Sequence, residues 1–86
     1  MYDLLLTRDA GRFYERADSP LVKRLNHCFE RLRQNPYEHP NIKRLKGPLA
    51  GSYRYRIGDW RVVYKVDEEK RQVTILLIVH RSQAYR

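Results

Sequence analysis

The hydrophobic period of this chain changes once along its length, and that change restricts the folds open to it. Leu21, Leu25, Cys28, Phe29 and Leu32 are spaced as one stripe of a helix of period 3.6. From Tyr53 the period is two. Tyr53, Tyr55 and Ile57 alternate with Arg54 and Arg56, Gly58-Asp59 supplies a tight turn, and Trp60, Val62, Tyr64 and Val66 alternate with Arg61, Val63 and Lys65. Asp67-Glu68-Glu69-Lys70 reads as a second turn. Gln72 to Val79 is a β-branched run, apolar on both faces near its end, as a central strand should be. The second part of the chain is therefore predicted to be an antiparallel meander.

The first part supplies its cover. Tyr2 to Leu6 reads as a short strand, and Thr7 to Ala17, with Phe13 and Tyr14 among charges, as a short helix weakened by Gly11. Ser19-Pro20 predicts the start of the longer helix, with Ser19 at the N-cap and Pro20 at the first helical position. Pro36 should end it near Asn35. Tyr37 to Gly51, with Pro40, Pro48, Gly47 and the basic residues Lys43, Arg44 and Lys46, is expected to be a loop. Arg81 to Arg86 is expected to be a polar tail. The order is β-α-α-β-β-β. This is an α+β fold, an antiparallel sheet with the N-terminal strand added, covered on one face by two helices. Its 86 residues should form a single domain, 1–86, too short for two cores.

Several classes of protein fall away. The longest apolar run, Ile75 to Val79, is far too short for a membrane span. Met1 to Leu6 lacks the basic start and long apolar centre of a secretory signal. The lone Cys28 allows no internal disulfide or cysteine-based zinc site, and it falls in the apolar stripe, so it should be buried and inert. A reducing cytoplasm is the expected setting. No Asp, Glu and His cluster at ligand spacing appears, so neither metal nor cofactor is expected.

The charge balance points toward a partner. The net charge is +8, and 13 of the 18 basic residues are Arg, whose planar fork suits phosphate. Residues 1–43 carry a net +2 and residues 44–86 a net +6. By alternation Arg54, Arg56, Arg61 and Lys65 share the sheet face away from the helices. Like charges so placed repel by a few tenths of a kcal/mol or more per pair, about what cross-strand pairs are worth. Stability alone gives no reason to gather them, whereas a polyanion or an acidic protein partner does. His27 lies beside the apolar stripe and His39 between loop residues, so both are expected to be structural or exposed. Trp60 and Tyr64 fall on the core face and are not read as a base-stacking platform.

The run Leu45-Lys46-Gly47-Pro48-Leu49-Ala50-Gly51-Ser52-Tyr53-Arg54-Tyr55-Arg56-Ile57-Gly58-Asp59-Trp60-Arg61-Val62-Val63-Tyr64 resembles the central signature of the RelE/ParE superfamily, the toxins of type II toxin–antitoxin pairs. Ile78-Val79-His80-Arg81-Ser82-Gln83-Ala84-Tyr85 resembles the last strand and tail of its RelE branch. The element order fits across essentially the whole chain. The resemblance implies a metal-independent endoribonuclease that cleaves messenger RNA in the ribosomal A site and inhibits translation. It also implies a cognate antitoxin partner. The ParE branch instead poisons DNA gyrase, and a non-catalytic RNA-binding domain is a further alternative.

The resemblance places functional side chains at Arg54 and Arg56 on the second of the four expected strands, Arg61 on the third, Arg81 at the end of the fourth, and Tyr85 near the C-terminus. The best-known members carry Lys on that second strand. Arg keeps the charge, but its pKa above ~12 prevents it from acting as a base. His80 is the one nearby side chain that ordinarily titrates near neutrality, which makes it an acid–base candidate or a strand-end cap. By alternation only one of His80 and Arg81 faces the arginines, and the resemblance favours Arg81. Lys43, Arg44, Lys46 and Lys65 are candidate RNA contacts. Attack by the neighbouring 2′-OH needs donors aimed at the charge that develops on phosphorus, and the arginines suit that task.

Overall fold

The computed structural model describes residues 1–83. In chain order its elements are β1 (Asp3–Leu6), α1 (Arg8–Arg16), α2 (Ser19–Gln34), β2 (Ile42–Arg44), a single 3₁₀ turn (Gly47–Leu49), β3 (Tyr53–Ile57), β4 (Trp60–Asp67) and β5 (Gln72–His80). The five strands form one sheet in the order β1-β5-β4-β3-β2. β1 runs parallel to β5, and every other neighbouring pair is antiparallel. The sheet is therefore mixed, with the expected meander at its centre and β5 between β1 and β4.

Two local expectations are corrected. The N-cap of α2 is Asp18, not Ser19: its carboxylate accepts from the Leu21 N–H at 3.0 Å, so Ser19 and Pro20 fall within the first turn. The segment 37–51 is not wholly a loop, because Ile42, Lys43 and Arg44 pair with Tyr55, Arg54 and Tyr53 and become an edge strand. Three residues between proline- and glycine-rich stretches have no period of their own. Only the pairing with β3 makes them a strand. α1 starts as expected, with Thr7 Oγ1 accepting from the Ala10 N–H, and the Asn35 N–H closes α2 on the Arg31 carbonyl.

α2 buries Leu25, Cys28, Phe29 and Leu32, and Leu21 packs at the margin. They meet Tyr55 and Ile57 of β3, Val62 and Tyr64 of β4, and Val73, Ile75 and Ile78 of β5. Cys28 is 1% exposed, and its burial pushes the thiol pKa up, which keeps it protonated and unreactive. The buried Tyr64 hydroxyl donates to the Pro36 carbonyl at 2.7 Å and so pins the chain leaving α2 onto the sheet. At the far end, Tyr2 and Tyr37 both donate to the Glu68 carboxylate, while Arg71 pairs with Glu68 at 2.6 Å and lies over the Tyr2 ring. These contacts tie the N-terminus, the loop after α2 and the β4–β5 turn together.

One irregularity sets which way the end of β5 faces. Val63 pairs with Leu77, but Tyr64 pairs with Ile75, so Leu76 is an extra residue in β5. Ile75 and Ile78 therefore both reach the helix-covered core, although they are three residues apart. Thr7 holds the bulge from β1: its N–H donates to the Ile75 carbonyl and its hydroxyl to the Leu76 carbonyl.

Candidate functional site

The helices leave the other face of the sheet open, and the register assembles the cations there. Arg54 of β3 stands between Lys43 of β2 and Val63 of β4, and Arg56 stands directly opposite Arg61. Lys65 lies two residues beyond Val63 on the same face. Neighbouring strands are about 4.8 Å apart, so these side chains form one field rather than separate charges. Val63 is only 1% exposed on this otherwise solvated face. Its flanking residues there are Arg54, Arg61, Lys65 and Leu77, whose aliphatic parts can cover it while the charged ends stay in water.

A cleft of about 500 Å³ opens between this face and the segment after β2. Lys43, Arg44, Lys46, Arg54 and Arg61 supply its charge, and Leu45, Pro48 and Leu49 its apolar wall. The 3₁₀ turn explains the shape: Gly47, at φ +67°, and Pro48 fold the chain back so that Lys46 and Leu49 both border the cleft. The loop basic cluster and the strand arginines thus meet at one site. No carboxylate lines it, and the two ion pairs among the described residues, Arg71–Glu68 and Arg81–Asp59, both lie elsewhere.

Two of the arginines are held from behind. Arg54 Nη1 donates to the Asn41 carbonyl at 2.8 Å. Arg61 Nη1 donates to the carbonyls of Gly58 and Trp60 at 2.8 and 3.0 Å. Each keeps further N–H donors for a ligand. Arg81 joins the same end of the sheet: its N–H donates to the Asp59 carbonyl at 2.7 Å, and Nε lies 3.6 Å from the Asp59 carboxylate.

The remaining sequence candidates divide. Arg56 shares the open face but borders a second cleft rather than the first. Lys65 borders the acidic β4–β5 turn, with Asp67, Glu68 and Glu69, and is set apart from the cleft. His80 pairs with Trp60 and meets its ring edge-on at 5.3 Å between centroids, so it faces the helix side, with the sheet between it and the arginines. Its Nδ1 lies 2.9 Å from Ser82 Oγ. Tyr85 lies outside the described residues. His27 is exposed, and His39 stacks on Tyr55 while its Nδ1 accepts from the Asn41 N–H. Among the described residues no three His, Cys, Asp or Glu side chains gather to hold a metal, and no helix is long and apolar enough to cross a membrane. Asn41 is a site residue the sequence reading missed. Its role rests on its backbone carbonyl, which carries no side-chain signal.

A two-helix cover on a five-stranded sheet, with a carboxylate-free cationic cleft on the bare face, defines a small α+β protein with a concentrated positive surface. Comparison with known proteins narrows that class. Residues 4–85 match the family described as ParE toxin of type II toxin-antitoxin system, parDE. The chain is 34% identical to Toxin RelE of Mycobacterium tuberculosis over 86 residues, which cover 99% of this chain and 87% of that protein. The structure superposes on the toxin–antitoxin complex RelBE2 from Mycobacterium tuberculosis with a TM-score of 0.79 at 28% identity, covering 93% of this chain and 98% of that one. It also superposes on the archaeal RelE–RelB complex from Pyrococcus horikoshii with a TM-score of 0.81 at 23% identity, covering 96% and 98%. The chain belongs to the RelE/ParE superfamily of type II toxin–antitoxin toxins.

Proposed function

We propose that the protein is a metal-independent endoribonuclease that cuts messenger RNA in the ribosomal A site and is held inactive by a cognate antitoxin. The observation that carries this reading is the carboxylate-free cleft of Lys43, Arg44, Lys46, Arg54 and Arg61 on an uncovered sheet face. A phosphodiester backbone is the natural ligand of such a surface. The 34% identity to a protein named Toxin RelE favours RNA over gyrase as target, and the solved relatives in complex with antitoxins favour an antitoxin partner.

The roles follow from placement. Arg54 and Arg61, braced by backbone carbonyls, stabilise the charge that develops on the phosphorane as the 2′-oxygen attacks. Lys43, Arg44 and Lys46 bind the flanking backbone. Arg81 stabilises the departing 5′-oxygen, Arg56 supports the field from β3, and Tyr85 stacks on a base or hydrogen-bonds the phosphate. His80 takes no part, because it lies on the other side of the sheet.

Induced expression followed by mapping of message ends tests the reading. Cuts in register with the reading frame, leaving a 2′,3′-cyclic phosphate and a 5′-hydroxyl, are expected. Intact message with accumulating gyrase–DNA breaks would replace it with the second reading, which the ParE family match favours.

A further inference from the structure

Behind the sheet edge lies a second cleft, of about 330 Å³, between α2 and the β3–β4 turn. Lys23, Arg24 and His27 of α2 form one wall, Asn41, Arg56 and Gly58 the other, and the core residues Cys28, Tyr55 and Ile57 the floor. No carboxylate lines it, and neither ion pair of the described residues involves Lys23, Arg24 or Arg56. Asp59, the carboxylate next to Gly58, is already paired with Arg81. The Arg24 guanidinium lies against Gly58, where a Cβ would meet its Nη2 at 2.7 Å, and Gly58 adopts φ +56°. Glycine here lets the α2 cation close over the turn that Arg61 braces from the other side.

We propose that this second cleft is a phosphate-binding subsite that continues the RNA path beyond the cleavage cleft, with Lys23, Arg24 and Arg56 as its contacts. It rests on the reading that the ligand is RNA. Three observations carry it. First, the end of β3 links the two clefts: Arg54 borders the open-face cleft and Arg56, about 6.7 Å further along the strand, the helix-side one, so a backbone can pass from site to site by wrapping round the sheet edge at Arg56. Second, three unpaired cations share a small concave volume, an arrangement that costs stability unless an anion occupies it. Third, the cleft's apolar lining, Cys28, Tyr55 and Ile57, is buried core that forms its floor, and none of the exposed large apolar residues among those described, Met1, Leu5 and Tyr37, borders it to anchor a protein partner. The ligand is a phosphodiester backbone, either the flank of the message strand or a structured RNA beside it.

The test measures binding without cleavage, using the full chain freed of partners and 2′-O-methyl RNA, which offers no 2′-hydroxyl nucleophile. The probes are a trinucleotide, a single-stranded dodecanucleotide and a duplex hairpin, each titrated across salt. Lys23→Gln should lower the log–log salt slope on the longer RNA by about 0.7, and Lys23→Gln with Arg24→Gln by about 1.4, with trinucleotide affinity unchanged. A fall on the dodecanucleotide assigns the subsite to the message flank, and a fall on the hairpin alone assigns it to structured RNA. Lys23 is exposed, so the single variant separates binding from folding should the Arg24 change disturb the turn. Unchanged slopes on both longer RNAs overturn the proposal. So does an unchanged slope accompanied by lost affinity for an antitoxin, which would make the cleft a protein contact. Because nothing is cut, a failure of the nuclease reading leaves this outcome readable.

Discussion

Replacing Arg61 with alanine separates the cost to the fold from the cost to the site. The side chain is half-buried on the open face and contributes nothing to the helix-covered core. What the fold loses is some aliphatic cover over Val63 and the pair of hydrogen bonds to the Gly58 and Trp60 carbonyls, at 2.8 and 3.0 Å. Such bonds are worth roughly 0.5–1.5 kcal/mol each, and these carbonyls sit at a turn where water can replace the donor, so about 1 kcal/mol in all is a fair bound. Relief of the Arg56–Arg61 repulsion returns a few tenths of a kcal/mol. The melting temperature should therefore fall by less than about 8 °C for a domain of this size. The site loses more. A donor held in place before the transition state is worth about 2.7–4 kcal/mol, or 10²–10³ in rate. Single-turnover cleavage on programmed ribosomes reads the second quantity, and thermal melting by circular dichroism the first. Arg61→Lys, which keeps the charge but not the fork, should fall between Arg61→Ala and the wild type. Wild-type cleavage by Arg61→Ala, or a variant already unfolded at 25 °C, would refute the reasoning.

Arg81→Ala should slow cleavage by more than tenfold while His80→Ala changes it little, because His80 packs on Trp60 on the helix side of the sheet, away from the arginines, whereas Arg81 hydrogen-bonds to the turn that Arg61 caps. A larger loss in the His80 variant, with loss of the wild type's rate–pH dependence, would reverse this assignment. Glu68 has its carboxylate pKa held below the usual range, chiefly by the Tyr37 and Tyr2 hydroxyls and with help from Arg71. A folded-state pKa below the unfolded one stabilises at pH values above the unfolded pKa of about 4.3, and that stability is lost as pH falls through the folded value. Glu68→Gln should therefore lower the urea midpoint at pH 7 and converge on wild type in strong acid, and an equal gap at both pH values would contradict it.

Sequence periodicity carried the fold a long way where burial is one-sided. The α2 stripe from Leu21 to Leu32 and the alternation from Tyr53 to Val66 each have a wet face and a dry face, so the pattern records the structure directly. It carried less where tertiary contact decides. β2 exists because β3 offers a partner, and the α2 cap moved one residue because two adjacent polar side chains, Asp18 and Ser19, both suit that role. The bulge at Leu76 is the sharpest case. Strict alternation from Ile75 puts His80 on the open face, but the extra residue reverses the phase and carries His80 to the Trp60 side. In a strand apolar on both faces the pattern cannot reveal where a residue has been added. Arg54, Arg61 and the loop cluster were all visible as charges. Their meeting in one cleft depends on the turn at Gly47, which composition shows and geometry completes.

The site's chemistry follows from what the open face contains. Its braced groups are guanidiniums, which stay charged at any working pH and donate hydrogen bonds without exchanging protons readily. The histidine at the end of β5 is walled off behind the sheet. Proton transfer by side chains titrating near neutrality, often worth ~10²–10⁴, is therefore weakly provided for. Charge stabilisation is strongly provided for, and the rest of the rate has to come from alignment. Holding a 2′-oxygen in line with phosphorus can be worth ~7–11 kcal/mol, yet an open cleft on a sheet of five strands has little with which to bend a flexible strand. The geometry has to be imposed from outside, and a ribosome holding an A-site codon would impose it. On this argument the purified protein should bind free RNA through its arginines but cut it far more slowly than message on programmed ribosomes. Equal single-turnover rates on the two substrates would mean that the cleft aligns the strand unaided, and the division of labour argued here would fail.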